Sequence, residues 1–245
     1  MNNKERVRPD LSGKPVWFPL AAVVMISLLL VGCDVLTCDE TAQRSASAAS
    51  EGISTVRIIS EAGDLDVQGQ PNLTEVDAEG TACASNTSDL DDIQFEVSTS
   101  GSEMVIEART SGGNTQFDVM VTVPDSVVVE IEDGSGDVDV GDVAGVRITD
   151  GSGDVDVAGV SGDVVVGDDG SGDLDLSDVA GTVDIGVDGS GNITVADVAG
   201  DVRIGSDGSG SIRVTNVEGD FEVGDDGSGD ISHSGVGGTV DIPNN

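Results

Sequence analysis

The tripeptide Gly-Ser-Gly begins at positions 134, 151, 170, 189, 208 and 227, spaced by 17 and then by 19 residues. When the units are aligned on it, five aliphatic columns appear. The first is Val138, Val155, Leu174, Ile193, Ile212, Ile231, and the second is Val140, Val157, Leu176, Val195, Val214. The third is Val143, Val160, Val179, Val198, Val217, Val236. The fourth is Val146, Val164, Val183, Val202, Phe221, Val240, and the fifth is Ile148, Val166, Ile185, Ile204, Val223, Ile242. Apolar and polar residues alternating at period two predict strands with one buried face. Each unit therefore holds two short strands and a single inward residue between them. One such unit cannot bury its own apolar face, and stacking units at about 4.8 Å joins the columns into continuous ladders. The pattern predicts an all-β fold, a parallel β-solenoid with coils of about 19 residues over 134–245.

Residues 53–133 have the same alternation without a fixed period. The predicted strands are Thr55–Ser60, Asp64–Gln68, Thr74–Ala78, Ile93–Ser98, Glu103–Arg109, Phe117–Pro124 and Val127–Glu132. They are expected to form the first, larger coils of the same solenoid, with a separate small sandwich as the alternative. In the last unit His233 takes the place of an aliphatic residue, as suits a coil that nothing covers, and Pro243 cannot donate to a further ladder.

The phrase GDLDVQG (63–69), the run FDVMVTVPDSVVVEIEDGSGDVDV (117–140) and the GSGD units that follow are similar to the bacterial "putative adhesin" domain family with GSGD-type repeats. The resemblance spans about 53–242. It implies a right-handed parallel β-helix and an adhesin-like role.

Composition adds the surface. The chain has 245 residues, 35 glycines, 2% aromatics and a net charge of −37. Four of its ten basic residues, Lys4, Arg6, Arg8 and Lys14, lie near the start, and no lysine follows them. Such a surface repels nucleic acid and anionic headgroups, and it suits cations or basic proteins. An acidic coat also keeps a β-rich protein from self-associating, so a monomer is expected.

The basic start is followed by the apolar run Val16 to Val31, which is shorter than the roughly 20 residues of a membrane span. It ends in Leu30-Val31-Gly32-Cys33, which resembles the bacterial lipoprotein processing signal. The resemblance implies a signal peptide over 1–32, diacylglycerol on the Cys33 thiol, cleavage before Cys33 and acylation of the new amine. Two or more chains anchor stably where one does not. Localisation in the bacterial cell envelope, on either membrane, follows. Residues 33–52 are small and polar and read as a flexible tether. An oxidising envelope permits a disulfide between Cys38 and Cys83.

Candidate chemistry is sparse. The stretch GVDGSGNITVAD (186–197) imitates a helix-loop-helix calcium loop, but Gly186 stands where the first carboxylate belongs and the flanks are strands. A looser cation ladder is expected as the alternative on the turns, at Asp169, Asp188, Asp207 and Asp226, beside a second row at Asp137, Asp154, Asp173, Asn192, Ser211 and Asp230. Carboxylates stacked about 5 Å apart repel by roughly 0.8 kcal/mol per pair even in water, and weakly bound calcium would relieve this. The competing reading is a solvated acidic stripe. His233 is the only histidine, so a Ser-His triad has no support. Carboxylate pairs leave a two-acid polysaccharide-active enzyme as a lesser alternative. The expected function is a non-enzymatic structural or adhesin-like role for an envelope protein, and the alternative is a calcium- or divalent-cation-binding acidic module.

Overall fold

The computed structural model describes residues 38–110 and 115–243. Among these residues, twenty strands make two ten-stranded sheets, here called the first and second sheets, and there is one short helix. In chain order they begin with β1 (Glu40–Ala49), β2 (Thr55–Ser60), β3 (Leu65–Gln70), β4 (Glu75–Ala84), α1 (Thr87–Asp92), β5 (Gln94–Ser100), β6 (Glu103–Arg109) and β7 (Thr115–Pro124). The regular part begins with β8 (Val128–Asp133), β9 (Val138–Gly141), β10 (Gly145–Asp150), β11 (Val155–Val160), β12 (Val164–Asp169), β13 (Leu174–Val179) and β14 (Val183–Asp188). It ends with β15 (Ile193–Val198), β16 (Val202–Asp207), β17 (Ile212–Val217), β18 (Phe221–Asp226), β19 (Ile231–Val236) and β20 (Val240–Asp241).

From β8 on, even-numbered strands stack in parallel in the second sheet and odd-numbered strands in the first. The fold is a parallel β-helix whose coil carries one strand of each sheet. The aliphatic columns are in register: Val155 pairs with Leu174, Leu174 with Ile193 and Ile193 with Ile212, while Val164 pairs with Val183, Val183 with Val202 and Val202 with Phe221. Nearly all of these side chains are fully buried, in one continuous core. The third-column residues, Val143 just after β9 and Val160, Val179, Val198 and Val217 at the ends of their strands, also point inward.

The lengthening from 17 to 19 residues has two sources. One residue is added between the third and fourth columns, where Val143–Val146 becomes Val160–Val164. The other is a bulge in β12: Ile148 pairs with Val166, but Asp150 pairs with Asp169. The bulge breaks the alternation for one step and turns a different residue inward.

The amino-terminal part is laid down out of sequence order. The coil β2–β3 lies between the coil β6–β7 on one side and β8–β9 on the other. Beyond β6–β7, the first sheet ends in the antiparallel strands β4 and β1, and the second ends in antiparallel β5. A parallel stack leaves open ladder edges, and antiparallel strands with α1 close this end. All seven strands expected in 53–133 are present, with ends shifted by at most two residues except that the one expected at Thr74–Ala78 runs on to Ala84, and α1 occupies Thr87–Asp92, where no element was expected.

The flexible tether expected over 33–52 requires correction, because Glu40–Ala49 forms β1 and pairs with β4 along its whole length. Ala42 and Ala46 are buried in the core. Small side chains that look like linker composition here let an edge strand pack close. The signal segment over 1–32 and Cys33 lie outside the described residues.

Candidate functional site

Three polar columns run along the solenoid, and each is placed by the coil geometry. The first sits at the strand starts of the first sheet. Asp64, Asp137, Asp154 and Asp173 stack there, exposed, and each carboxylate accepts the backbone N–H of a neighbouring coil. Asp173 N donates to Asp154 Oδ1 at 2.9 Å, and Asn192 N donates to Asp173 Oδ1 at 2.8 Å. The aspartate of the GSGD motif thus satisfies a main-chain donor that the ladder itself leaves over. Asp163, Asp201 and Asp220 do the same at the other turn, toward Thr182, Asp220 and Thr239. These hydrogen bonds, with the Arg203 guanidinium beside Asp201, hold the Asp201 and Asp220 carboxyls below the usual range.

Two residues on from the first column lies a second, on the outer face of the first sheet: Asp66, Asp139, Asp156 and Asp175 pair in register and point to solvent. The column then changes character, because Thr194 and Arg213 follow. Together the two columns make one half of this face densely acidic. Between the second column and the positions two residues further on, Gln68, Gly141, Ala158 and Ser177, runs a trough of about 430 Å³. Partial burial raises the Asp139 carboxyl, with Asp66, Asp137 and Asp64 adding to it. Partial burial also raises Asp156, with Asp139, Asp175 and Asp154 contributing.

The third column departs from expectation. Asp169, Asp188 and Asp207, expected on solvent-facing turns, point into the solenoid and are 2%, 1% and 2% exposed. Asp133 and Asp150 stand in the same column and are also buried, and Asp226 continues it, half-buried, at the carboxy-terminal end. The pairings Asp150–Asp169, Asp169–Asp188, Asp188–Asp207 and Asp207–Asp226 are in register. The ladder expected on the turn surface is therefore an interior column. Each of these residues ends a strand of the second sheet, directly before a Gly-Ser-Gly turn. Among the described residues, no three acidic, histidine or cysteine side chains converge on a position for a metal ion.

The members missed at the start were legible. Val129-x-Ile131-x-Asp133 and Val146-x-Ile148-x-Asp150 continue the inward alternation without interruption. Only the bulge hides the others, because alternation from Val164 and Val166 points to Asp168 instead of Asp169.

Three further residues singled out in the sequence lie in the described part. Cys38 and Cys83 are joined in a disulfide, with Cα atoms 5.4 Å apart, which fastens the start of the described chain to β4. His233 is exposed in the last strand pair, its ring 6.0 Å from Phe221.

A two-sheet parallel β-helix with polar columns along its first sheet and in its interior defines the protein as a solenoid of stacked coils. The chain belongs to the family described as "Putative auto-transporter adhesin, head GIN domain", whose profile matches residues 72–237. Solved structures similar to it include a "putative adhesin" from Bacteroides fragilis, 14% identical, covering 83% of this chain and 98% of that one with a TM-score of 0.37. Another is a "putative cell adhesion protein" from Clostridium sporogenes, 10% identical, covering 83% and 100% with a TM-score of 0.33. A third, from Parabacteroides distasonis, is 12% identical, covering 81% and 96% with a TM-score of 0.32. No curated protein matches the chain.

Proposed function

We propose that the protein is a lipid-anchored solenoid of the bacterial cell envelope with a non-enzymatic, adhesin-like role, its binding face being the acidic half of the first sheet. The observation that carries this reading is the paired rows Asp64–Asp137–Asp154–Asp173 and Asp66–Asp139–Asp156–Asp175 on a rigid ladder. A flat, repeating array of carboxylates matches a basic surface on another envelope protein, and its field accelerates encounter with such a partner. Family membership supports the adhesin-like role. The apolar run ending in Leu30-Val31-Gly32-Cys33 supports the anchor.

The test has two arms. Intact-mass measurement on the membrane fraction should show a mature chain beginning at Cys33 with added diacylglycerol and acyl mass, absent from Cys33→Ala. A full-length, unlipidated wild-type chain would remove the anchor. Separately, the purified domain should retain an arginine-rich peptide at low salt. The triple change Asp139→Asn, Asp156→Asn, Asp175→Asn should weaken retention at least tenfold, while the charge-matched change Asp168→Asn, Asp184→Asn, Asp225→Asn on the opposite sheet should not. Equal weakening by both would mean that only net charge acts and would reject a defined face.

A further inference from the structure

Among the described residues, no cationic side chain is seen in an ion pair with Asp133, Asp150, Asp169, Asp188 or Asp207 of the interior column. Asp133, Asp150, Asp169, Asp188 and Asp207 are each 7% exposed or less, and both carboxyl oxygens of every one lack a conventional donor. An ionised carboxylate in such a setting is too costly to keep unless something stands between it and its neighbour. Two agents could do so, a cation or a proton. Calcium takes about six to eight oxygen ligands. Here the side chains arrive in a single file, and no three of them surround a point. A proton needs only two oxygens, and a single file supplies two at every step.

From this geometry we propose that the interior column is a chain of shared protons, in which carboxylic acids alternate with carboxylates along the solenoid and each acid donates to its neighbour. The groups facing the column are few. Its amino-terminal end meets the Ser60 hydroxyl of β2, which is buried beside Asp133. The remaining charged neighbours are the column members themselves, supplied by β8, β10, β12, β14, β16 and β18. The inward residues that open the adjoining strands of the first sheet, Leu65, Val138, Val155, Leu174, Ile193 and Ile212, are aliphatic. The turn N–H groups of Gly134 near Asp133, Gly151 and Ser152 near Asp150 and Ser209 near Asp207 partly oppose the rise at these carboxyls without making regular hydrogen bonds to them.

The titration behaviour agrees with alternation. Burial, reinforced by the neighbouring aspartate, pushes Asp133 up to about 7, Asp169 up to about 8 and Asp207 up to about 6. Asp150, between two of these, is raised by burial while the hydrogen bonds from Asp169 and Asp133 oppose the rise. These three positions are every second member of the column. Because their carboxyls hold protons more tightly folded than unfolded, the stabilisation is complete below the ordinary carboxylate range. It is lost as pH rises through about 6 to 8. The solenoid is thus built to tighten in acid and loosen in mild alkali, the reverse of the usual acid denaturation.

The test counts protons. Unfolding of the intact domain near pH 5.5 should release about two to three protons beyond the release from the triple variant Asp133→Asn, Asp169→Asn, Asp207→Asn. In the variant the amides donate where the acids donated, so the melting temperature should change little between pH 5 and pH 9, whereas the wild type should melt lower as pH rises. A wild type whose melting temperature is flat over that range, or a folded variant that releases as many protons as the wild type, would overturn the proposal. If the variant does not fold, infrared spectra of the wild type decide. A protonated-carboxyl C=O band at pH 6 that disappears by pH 9 supports the chain, and absence of the band rejects it. Calcium that raises the melting temperature of the wild type at pH 8, but not of the variant, would show a cation in the protons' place and also reject it.

Discussion

Replacing Gly191 by alanine probes the tightest feature of the coil, the third residue of the Gly-Ser-Gly turn. Gly191 has φ +154, and a Cβ built there falls 1.6 Å from the carbonyl oxygen of Gly172 in the adjacent coil, where real Cβ atoms keep about 3 Å away. The obstacle is main chain and cannot swing aside. The two coils must part locally, and the bonds that hold them at this corner are Gly172 N to Ser190 O at 3.0 Å and Leu174 N to Asn192 O at 2.8 Å. Two such bonds left unmade in a partly buried turn cost about 1–3 kcal/mol each, and the left-handed backbone adds about 1 kcal/mol. The expected loss is about 4 kcal/mol, a large fraction of the stability of a domain. Gly101→Ala is the control: its φ is +63, but nothing lies within 4 Å of the added methyl, so only about 1 kcal/mol is expected. Urea unfolding followed by circular dichroism measures both. If Gly191→Ala lies within 1 kcal/mol of Gly101→Ala, close stacking at the turn is not what requires glycine there.

Leu176→Ala should destabilise by about 3 kcal/mol in the same assay, because the side chain is fully buried between Val157 and Val195, whereas Val187→Ala, 44% exposed, should stay within about 0.5 kcal/mol. Equal effects would contradict the assignment of the inward face. Removing the disulfide with Cys38→Ala and Cys83→Ala should lower stability by about 3–4 kcal/mol from the 45-residue separation alone, measured as a shift of the urea midpoint. No shift would mean that β1 is already held by its pairing with β4. Raising sodium chloride from 10 mM to 500 mM at pH 7 should raise the melting temperature, because the net charge of −37 and the stacked exterior aspartates repel until screened. An unchanged melting temperature would show that the backbone hydrogen bonds to Asp154 and Asp173 already neutralise that strain.

A strict period is legible because every coil solves the same packing problem. The five aliphatic columns, their register and the two-strand coil all follow from the spacing of Gly-Ser-Gly and the period-two alternation, and the structure stacks them as that pattern requires. Where the period fails, local pattern stops being informative. Nothing in Thr55–Gln70 says that this coil lies between Glu103–Pro124 and the regular stack, because β-pairing partners are chosen by long-range packing. Nor does the small, polar stretch Glu40–Ala49 announce a strand, since its pairing with Glu75–Ala84 comes from an edge that needed covering.

The exterior and interior aspartates make the same division. By itself the sequence determined that Asp137, Asp154 and Asp173 recur at strand starts and face out. Only the tertiary structure decided that Asp169, Asp188 and Asp207 face in. One extra residue in β12 shifts the side-chain alternation by a step, and a step in a strand exchanges solvent for core.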